Sequence, residues 1–539
     1  MWNTLISFIG LAIAAVYGQN DSCFEPENFS ITAALAEAGV DVTTLPGVSD
    51  GGRAISPCAS ACTALRALYG QERVLTQDTD QHDNFTTTSY YSVVQRDVNP
   101  FCVFKPSNET GVSVLVLLSR LTQCPFAVKS GGHGMFEGSS SLEGGITVSL
   151  ELLTNVTVSS DKSVASVQAG NKWGPTYARL AEQDLTVMGG RLYSIGVGGL
   201  TTGGGISYFA NLRGWACDNV VSYDVITAKG TKVNASPTQN ADLYWALRGG
   251  GPNFGIVTQF NYETLAIQGT NMWGGQRVYL EPDFPAVLRA FTNVARNSPE
   301  DKNAGQWIVF TMSNGTKVAS AELWYGKPNG NQARILSEYF AIPAISDTTQ
   351  NCKVADYARS NDVAANLRAG FYTMTFKNDE AFHTIAKDIF YEAAAEVAKI
   401  RGATLINVFQ SITKPQLENM AKNGGNPLGL KPEDGPLTLV VTNLFWTNPD
   451  DGDALFDITS DMLKKTKAEA AARGLANNFT YMNYAAQFQD AIASYGAENK
   501  ARLQQIAKKY DPQGVFQTLS PGYFKLDRAA VPGTGRFSF

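Results

Sequence analysis

Phe126-Ala127-Val128-Lys129-Ser130-Gly131-Gly132-His133-Gly134-Met135-Phe136-Glu137-Gly138 is the stretch from which the rest of the chain is read. Phe126 to Val128 is an apolar run of strand type. It ends in a turn whose glycines take backbone angles closed to other residues and let the chain approach a ligand closely. His133 stands at the tip and is the one histidine of the chain with glycine on both sides, the others being His82 and His383. A neutral imidazole in that setting is a candidate nucleophile or ligand, and the bare amides around it can hold an anion. The plainer reading is a turn histidine bonded to its neighbours.

Working outward, 539 residues exceed one comfortable core, so two domains are expected. With 44% hydrophobic and 17% charged residues the composition is that of an ordinary globular protein. A net charge of -6 without a basic tract argues against nucleic acid or an anionic membrane as partner and leaves a small neutral or weakly charged substrate. Residues 1–18 hold an apolar run too short to span a bilayer, followed by Val16-Tyr17-Gly18, and read as a signal peptide despite the missing positive flank. No second long apolar run follows, so no membrane span is expected. Sequons at Asn20, Asn28, Asn84, Asn108, Asn155, Asn234, Asn314 and Asn478 fit N-linked glycans on a secreted or vesicle-lumen protein. Seven cysteines permit disulfides with one left over, in a connectivity the sequence does not reveal.

Apolar periodicity predicts a helix near Ile31 to Ala38 and another around Cys58 to Tyr69. Next come a strand at Phe101 to Phe104, a helix at Val112 to Thr122, strands at Gly145 to Leu150, Thr154 to Val158 and Ser163 to Gln168, and a helix at Lys172 to Glu182. After about Gln268 the texture changes. Met272 to Tyr279, Gln306 to Met312, Ala321 to Tyr325, Thr404 to Ile412 and Leu437 to Trp446 read as strands of one sheet. Phe284 to Ala295, Asn331 to Phe340, Asp379 to Ile400 and Ala454 to Ala472 read as helices covering one face of it, with a last helix at Lys500 to Tyr510. His383, on the long helix, is expected to be a surface or packing residue.

A second constellation runs from Gly189-Gly190-Arg191-Leu192-Tyr193-Ser194-Ile195 through Gly196-Val197-Gly198-Gly199 to the triplet Gly203-Gly204-Gly205. It is not the dinucleotide fingerprint, because Thr201 stands where the third glycine belongs, and no Gly-Lys-Ser/Thr follows to make a P-loop. What remains is two glycine clusters able to lay many amides against a pyrophosphate and a flat ring. A third cluster, Arg248 to Val257, follows the helix-like Asp242 to Leu247. Gly47-Val48-Ser49-Asp50-Gly51 spells a nucleophile elbow but lies in a polar turn with no strand before it. Three scattered histidines and no Cys-x-x-Cys give no metal constellation.

These motifs in this order, with Ala216-Cys217-Asp218-Asn219-Val220-Val221, Asp242 to Gly251, Tyr481-Met482-Asn483-Tyr484 and Tyr510-Asp511-Pro512, resemble the berberine-bridge-enzyme-like branch of the vanillyl-alcohol-oxidase flavoproteins. The likeness is greatest to fungal FAD-linked oxidoreductases of secondary metabolism. It implies an α+β fold: a PCMH-type FAD-binding domain at 93–268, a substrate domain at 269–480, and a segment 481–539 returning to the first, with 19–92 as an N-terminal segment. It implies FAD attached through the His133 ring and cradled by Ser130, Gly131, Gly132, Gly134 and Gly138, by Gly196, Val197, Gly198, Gly199, Gly203 and Gly204, and by Asp218, Asn219, Gly255, Ile256, Val257 and Asn483. Many relatives carry a second link from a cysteine where Leu192 stands, and leucine cannot form it. Ile195 stands where residue size admits or excludes dioxygen, leaving oxidase or dehydrogenase open. Tyr484 is implied as the base that serves hydride transfer, with Tyr481 beside it, and Gln410 is a further candidate to face the substrate. A tyrosinate needs a nearby cation or donors, which the sequence does not identify. The expected reaction oxidises, desaturates or oxidatively cyclises a small natural product with dioxygen as acceptor. The alternatives are a secreted oligosaccharide or alcohol oxidase, and a flavin-binding cyclase or scaffold.

Overall fold

Asn108 caps the helix Glu109–Thr122 by accepting from the Gly111 amide at 2.9 Å, and Gln123 ends it in the left-handed region, φ 61°. The chain then reverses into strand Phe126–Lys129, parallel to Ile146–Ser149 and through it to Cys102–Phe104. The glycine turn with His133 therefore leaves the carboxyl end of a parallel strand, the usual mouth for a ligand in such sheets. The computed structural model describes residues 24–48, 56–267, 271–362 and 366–531. The expected signal peptide and Ser49–Gly51 of the elbow-like string lie outside them.

Three sheets are present among these residues. The small one runs Val74–Thr76, Cys102–Phe104, Ile146–Ser149, Phe126–Lys129, so this layer already begins upstream of residue 93. Two disulfides, Cys58–Cys124 and Cys62–Cys102, tie helix Pro57–Tyr69 to it. Cys217 and Cys352 are free thiols, and Cys23 is outside the described residues. The middle sheet is antiparallel and centred on Ile256–Ala266, flanked by Val164–Gln168 and Val220–Ile226. Neither Ile256–Ala266 nor Val220–Ile226 is among the strands the sequence predicts.

The third sheet is built from Asn271–Leu280, Thr316–Tyr325, Ala304–Ser313, Thr404–Ile412, Leu437–Trp446 and Arg368–Lys377, with short strands at both edges. Alternate residues of its strands divide between two cores. Phe310, Leu323, Leu405, Phe409 and Leu444 pack with helices Phe284–Asn297, Glu380–Val397 and Gly452–Ala472. Trp307, Trp324, Val408, Leu439 and Val441 point the other way and join the core of the glycine loops. Asn331 to Phe340 is not one helix: extended Ala333 separates two 3-10 turns, and only Ser337–Phe340 is α-helical. Strand Arg368–Lys377 carried no alternation to read, since residues on both of its faces are buried.

His383 is fully buried, its two ring nitrogens paired with Thr292 Oγ1 (3.0 Å) and Thr438 Oγ1 (2.8 Å), so it joins helices to sheet. Burial pushes its pKa down to about 3. An unfolded chain takes up this proton near pH 6.5, whereas the folded one resists it to about pH 3. Between those values the unfolded state binds more protons, so stability falls as pH is lowered through that window. Denaturation midpoints measured from pH 7 to pH 3 are expected to decline less steeply in His383→Gln.

Candidate active site

Two glycine turns meet backbone to backbone. A methyl on Gly131 would sit 2.3 Å from the Gly196 amide nitrogen, and one on Gly196 would sit 2.3 Å from that of Gly131. No other residue type permits this approach. Ser130 Oγ completes the seam, donating to Ala169 O (2.6 Å) and accepting from the Gly198 amide (3.1 Å). Gly132 takes φ 70°, and its carbonyl accepts from the Tyr91 amide at 2.9 Å. That bond lays the Tyr91 ring on His133, centroids 4.0 Å apart and planes 19° apart.

His133 Nε2 is buried with no hydrogen-bond partner among the described residues. Burial pulls the imidazole pKa down to about 4, against the opposing pull of Asp362, so the ring is neutral at physiological pH. Ser194 donates to Asp362 through its hydroxyl (2.7 Å) and its amide (3.3 Å), which ties the loop before Gly196 to the segment after helix Val354–Ser360. An orphaned, uncharged ring nitrogen in a glycine cradle departs from the rule that buried polar atoms are paired. These residues fit a flat group held against the imidazole.

Across the seam lies the chemistry-bearing cluster. Tyr484 follows Tyr481 after one 3-10 turn, Met482–Tyr484, and its hydroxyl accepts from Arg191 Nη2 at 2.9 Å. Gln410 Oε1 accepts from the same guanidinium and from Tyr484 OH at 3.5 Å. Arg191 is buried and stacked over Trp307, 4.6 Å from the ring centroid, with Trp324 at 5.8 Å. It is the cation the sequence did not identify: it lay in a run read only for its glycines. Tyr91, Ser194 and Asp362 were missed as well, because nothing local marks residues that reach the site from three separate segments.

Other expected site residues serve the protein itself. Tyr481 is buried, and its hydroxyl accepts from the Gly205 amide and Asn483 Nδ2, each at 2.9 Å. Burial pushes its pKa upward. It braces the glycine triplet, and the catalytic expectation narrows to Tyr484. Asn483 Nδ2 also donates to Leu200 O, and a methyl on Gly203 would strike Asn483 Oδ1, so this side chain packs against the helix after Gly196. Asp218 is ion-paired with buried Arg248 and accepts from the Trp215 amide and Asn426, while Asn219 donates to Arg213 O and Trp215 O. Both side chains are taken up by fold contacts. Ile256 and Val257 are buried and pair with Ile226 and Val225 inside the middle sheet. At Gly255, φ 154°, a methyl would meet Val225 and Ile226. Gly138, φ 82°, lies under Gly522 of the returning tail. Among the described residues no group of His, Cys, Asp and Glu is placed to hold a metal.

Residues 100–236 match the family described as FAD binding domain, and 480–519 match Berberine and berberine like. An FAD-dependent monooxygenase of Fusarium proliferatum is 36% identical over 491 residues, which is 87% of this chain and 94% of the relative. The chain belongs to the berberine-bridge-enzyme-like FAD-linked oxidoreductases. The bifunctional solanapyrone synthase of Alternaria solani is 30% identical, covering 79% of this chain and 81% of the synthase. Berberine bridge enzyme from Eschscholzia californica superimposes with a TM-score of 0.69 at 15% identity, over 88% of this chain and 100% of the other, and shows the fold alone. The protein is an FAD-dependent oxidoreductase with a PCMH-type FAD-binding domain in an α+β architecture. The Ser130–His133 turn and the Gly196 turn fall within the FAD-binding match, and Tyr484 falls within the berberine-like match.

Proposed function

We propose that this enzyme oxidises a small natural product on an FAD attached through His133 alone, with Tyr484 as the proton acceptor and dioxygen as the final electron acceptor. The observation that carries the reading is the half-buried, neutral His133 ring with its enclosed, unpartnered Nε2, set across one glycine seam from Arg191, Tyr484 and Gln410. Bound FAD supplies the hydride acceptor. Tyr91 and the Ser130–Gly134 turn hold the imidazole in place. Leu192 offers no sulfur for a second link, and the free thiols among the described residues, Cys217 and Cys352, lie outside the 191–199 loop.

Arg191 donates to the Tyr484 oxygen and so holds it in the orientation in which it would take a substrate proton. Gln410 orients both groups. Trp307 and Trp324 shield the guanidinium from water and so strengthen its field at the hydroxyl. Curated fungal relatives that are named monooxygenases or solanapyrone synthase support a natural-product substrate. Two disulfides and the exposure of Asn28, Asn84, Asn108, Asn155, Asn314 and Asn478 support a secretory route with N-linked glycans. Asn234 is the exception, half-buried with its amide donated to Asp224.

Acid precipitation tests the attachment. Yellow colour and in-gel flavin fluorescence are expected to stay with the wild-type polypeptide and to be lost from His133→Ala. Colour released from the wild type, or retained by the variant, overturns the linkage.

A further inference from the structure

The face of the large sheet that meets the glycine loops carries a chemical pattern of its own. Beside Gln410, strand register places Val309, Val408 and Val441 in one row, and Ile406, Asn443 and Phe371 in the next. Val408 and Val441 are buried, but Val309, Ile406 and Phe371 stay half-exposed although they pack against the same core as Tyr484. The Phe371 ring meets Tyr484 edge-on at 6.1 Å, so this wall runs up to the Tyr484 ring.

Ionisable groups are kept away from the wall. On this face of the five central strands the alternation leaves two, Glu322 and Lys377. Glu322 stands beyond Trp307 from Gln410 and accepts from Tyr357. Lys377 lies at the exposed strand end and donates to Gly474 O. At the inner end of the wall sits Arg191, which makes no ion pair with a carboxylate among the described residues. An ammonium on a substrate would meet that guanidinium with no acid to offset it, and like charges brought together at a desolvated site weaken binding strongly. A sugar would set most of its hydroxyls against valine, isoleucine and phenylalanine, with Asn443 and Thr311 of the second row to answer the rest.

We infer that the substrate is an uncharged, largely apolar molecule with one hydroxyl or enol at its reacting end, selected by Val309, Ile406 and Phe371 against cations and sugars. This rests on Tyr484 being the reacting group. It adds the chemical class of what Tyr484 meets.

The test uses the purified full chain and three probes: 2-naphthol, 2-(aminomethyl)naphthalene, which carries the same ring with an ammonium at pH 7, and cellobiose. Binding is followed by perturbation of the flavin absorbance. If the protein is colourless the proposed attachment fails, but the same ranking is read by calorimetry. Naphthol is expected to bind at least about tenfold more tightly than the amine, with no response to cellobiose. Ile406→Glu is expected to weaken naphthol binding by about tenfold or more and to strengthen the amine, with Val309→Glu as a second variant if the first melts early. Arg191→Gln is expected to narrow the gap by improving the amine. An amine that equals or exceeds naphthol, a response to cellobiose, or an unchanged order in both glutamate variants overturns the inference.

Discussion

Tyr484→Phe is expected to slow flavin reduction by about 10²–10⁴-fold while leaving the flavin attached, because a positioned general base contributes on that order. The substitution removes one oxygen and keeps the ring against Phe371, so the wall and the seam stay as they are. Arg191 gives the complementary result. Arg191→Met deletes the donor that reaches the Tyr484 oxygen at 2.9 Å while leaving an apolar stem over Trp307. Loss of one preorganised donor is expected to cost about 10²–10³-fold in the same step. Arg191→Lys keeps the charge but loses the planar guanidinium that stacks over Trp307 and fixes Nη2 between Tyr484 and Gln410, so it should fall between wild type and Arg191→Met. Anaerobic stopped-flow bleaching of the flavin measures all three. A Tyr484→Phe enzyme that bleaches at the wild-type rate removes Tyr484 from the chemistry.

The second large effect is structural. Gly131→Ala places a methyl 2.3 Å from the Gly196 nitrogen and 2.5 Å from its Cα, and both are backbone atoms that cannot rotate away. The two turns must separate, and overpacking of this kind costs about 1–3 kcal/mol or more. Because the seam is the cradle itself, flavin content is expected to fall at least about tenfold even where the chain still folds, since preorganisation of a site is lost with sub-ångström shifts. The ratio of flavin to protein absorbance, read beside a thermal melt, measures this. Gly326→Ala is the control: its new methyl would meet Asn303 at 3.4 Å, an ordinary contact, and both readings should stay at wild type.

How far the chain could be read depended on where its information lay. Helix Glu109–Thr122 was legible from Val112 onward, as were strand Phe126–Lys129 and the turn after it, because the apolar runs and the glycines are consecutive, whereas the Asn108 cap and the first turn carry no apolar pattern. The strands Thr404–Ile412 and Leu437–Trp446 came out with their bounds because they are long and β-rich. Val220–Ile226 was masked by nearby glycines, and Arg368–Lys377 by burial on both faces. In the site, His133 and Tyr484 were found through their motifs. Asp218 and Asn219, though part of a recognisable motif, spend their side chains on Arg248 and on backbone carbonyls.

From the sequence alone came the cofactor class, a single glycine-flanked histidine at 133 and a leucine at 192, because each of these is a property of residues adjacent in the chain. It took the folded chain to bring Arg191 to Tyr484, 293 residues away, and to turn a largely apolar face of the large sheet toward them. Hydrogen bonds and desolvation act over a few ångströms. Residues joined by a fold, and by no motif, enter that range only once strand register and packing have brought them there.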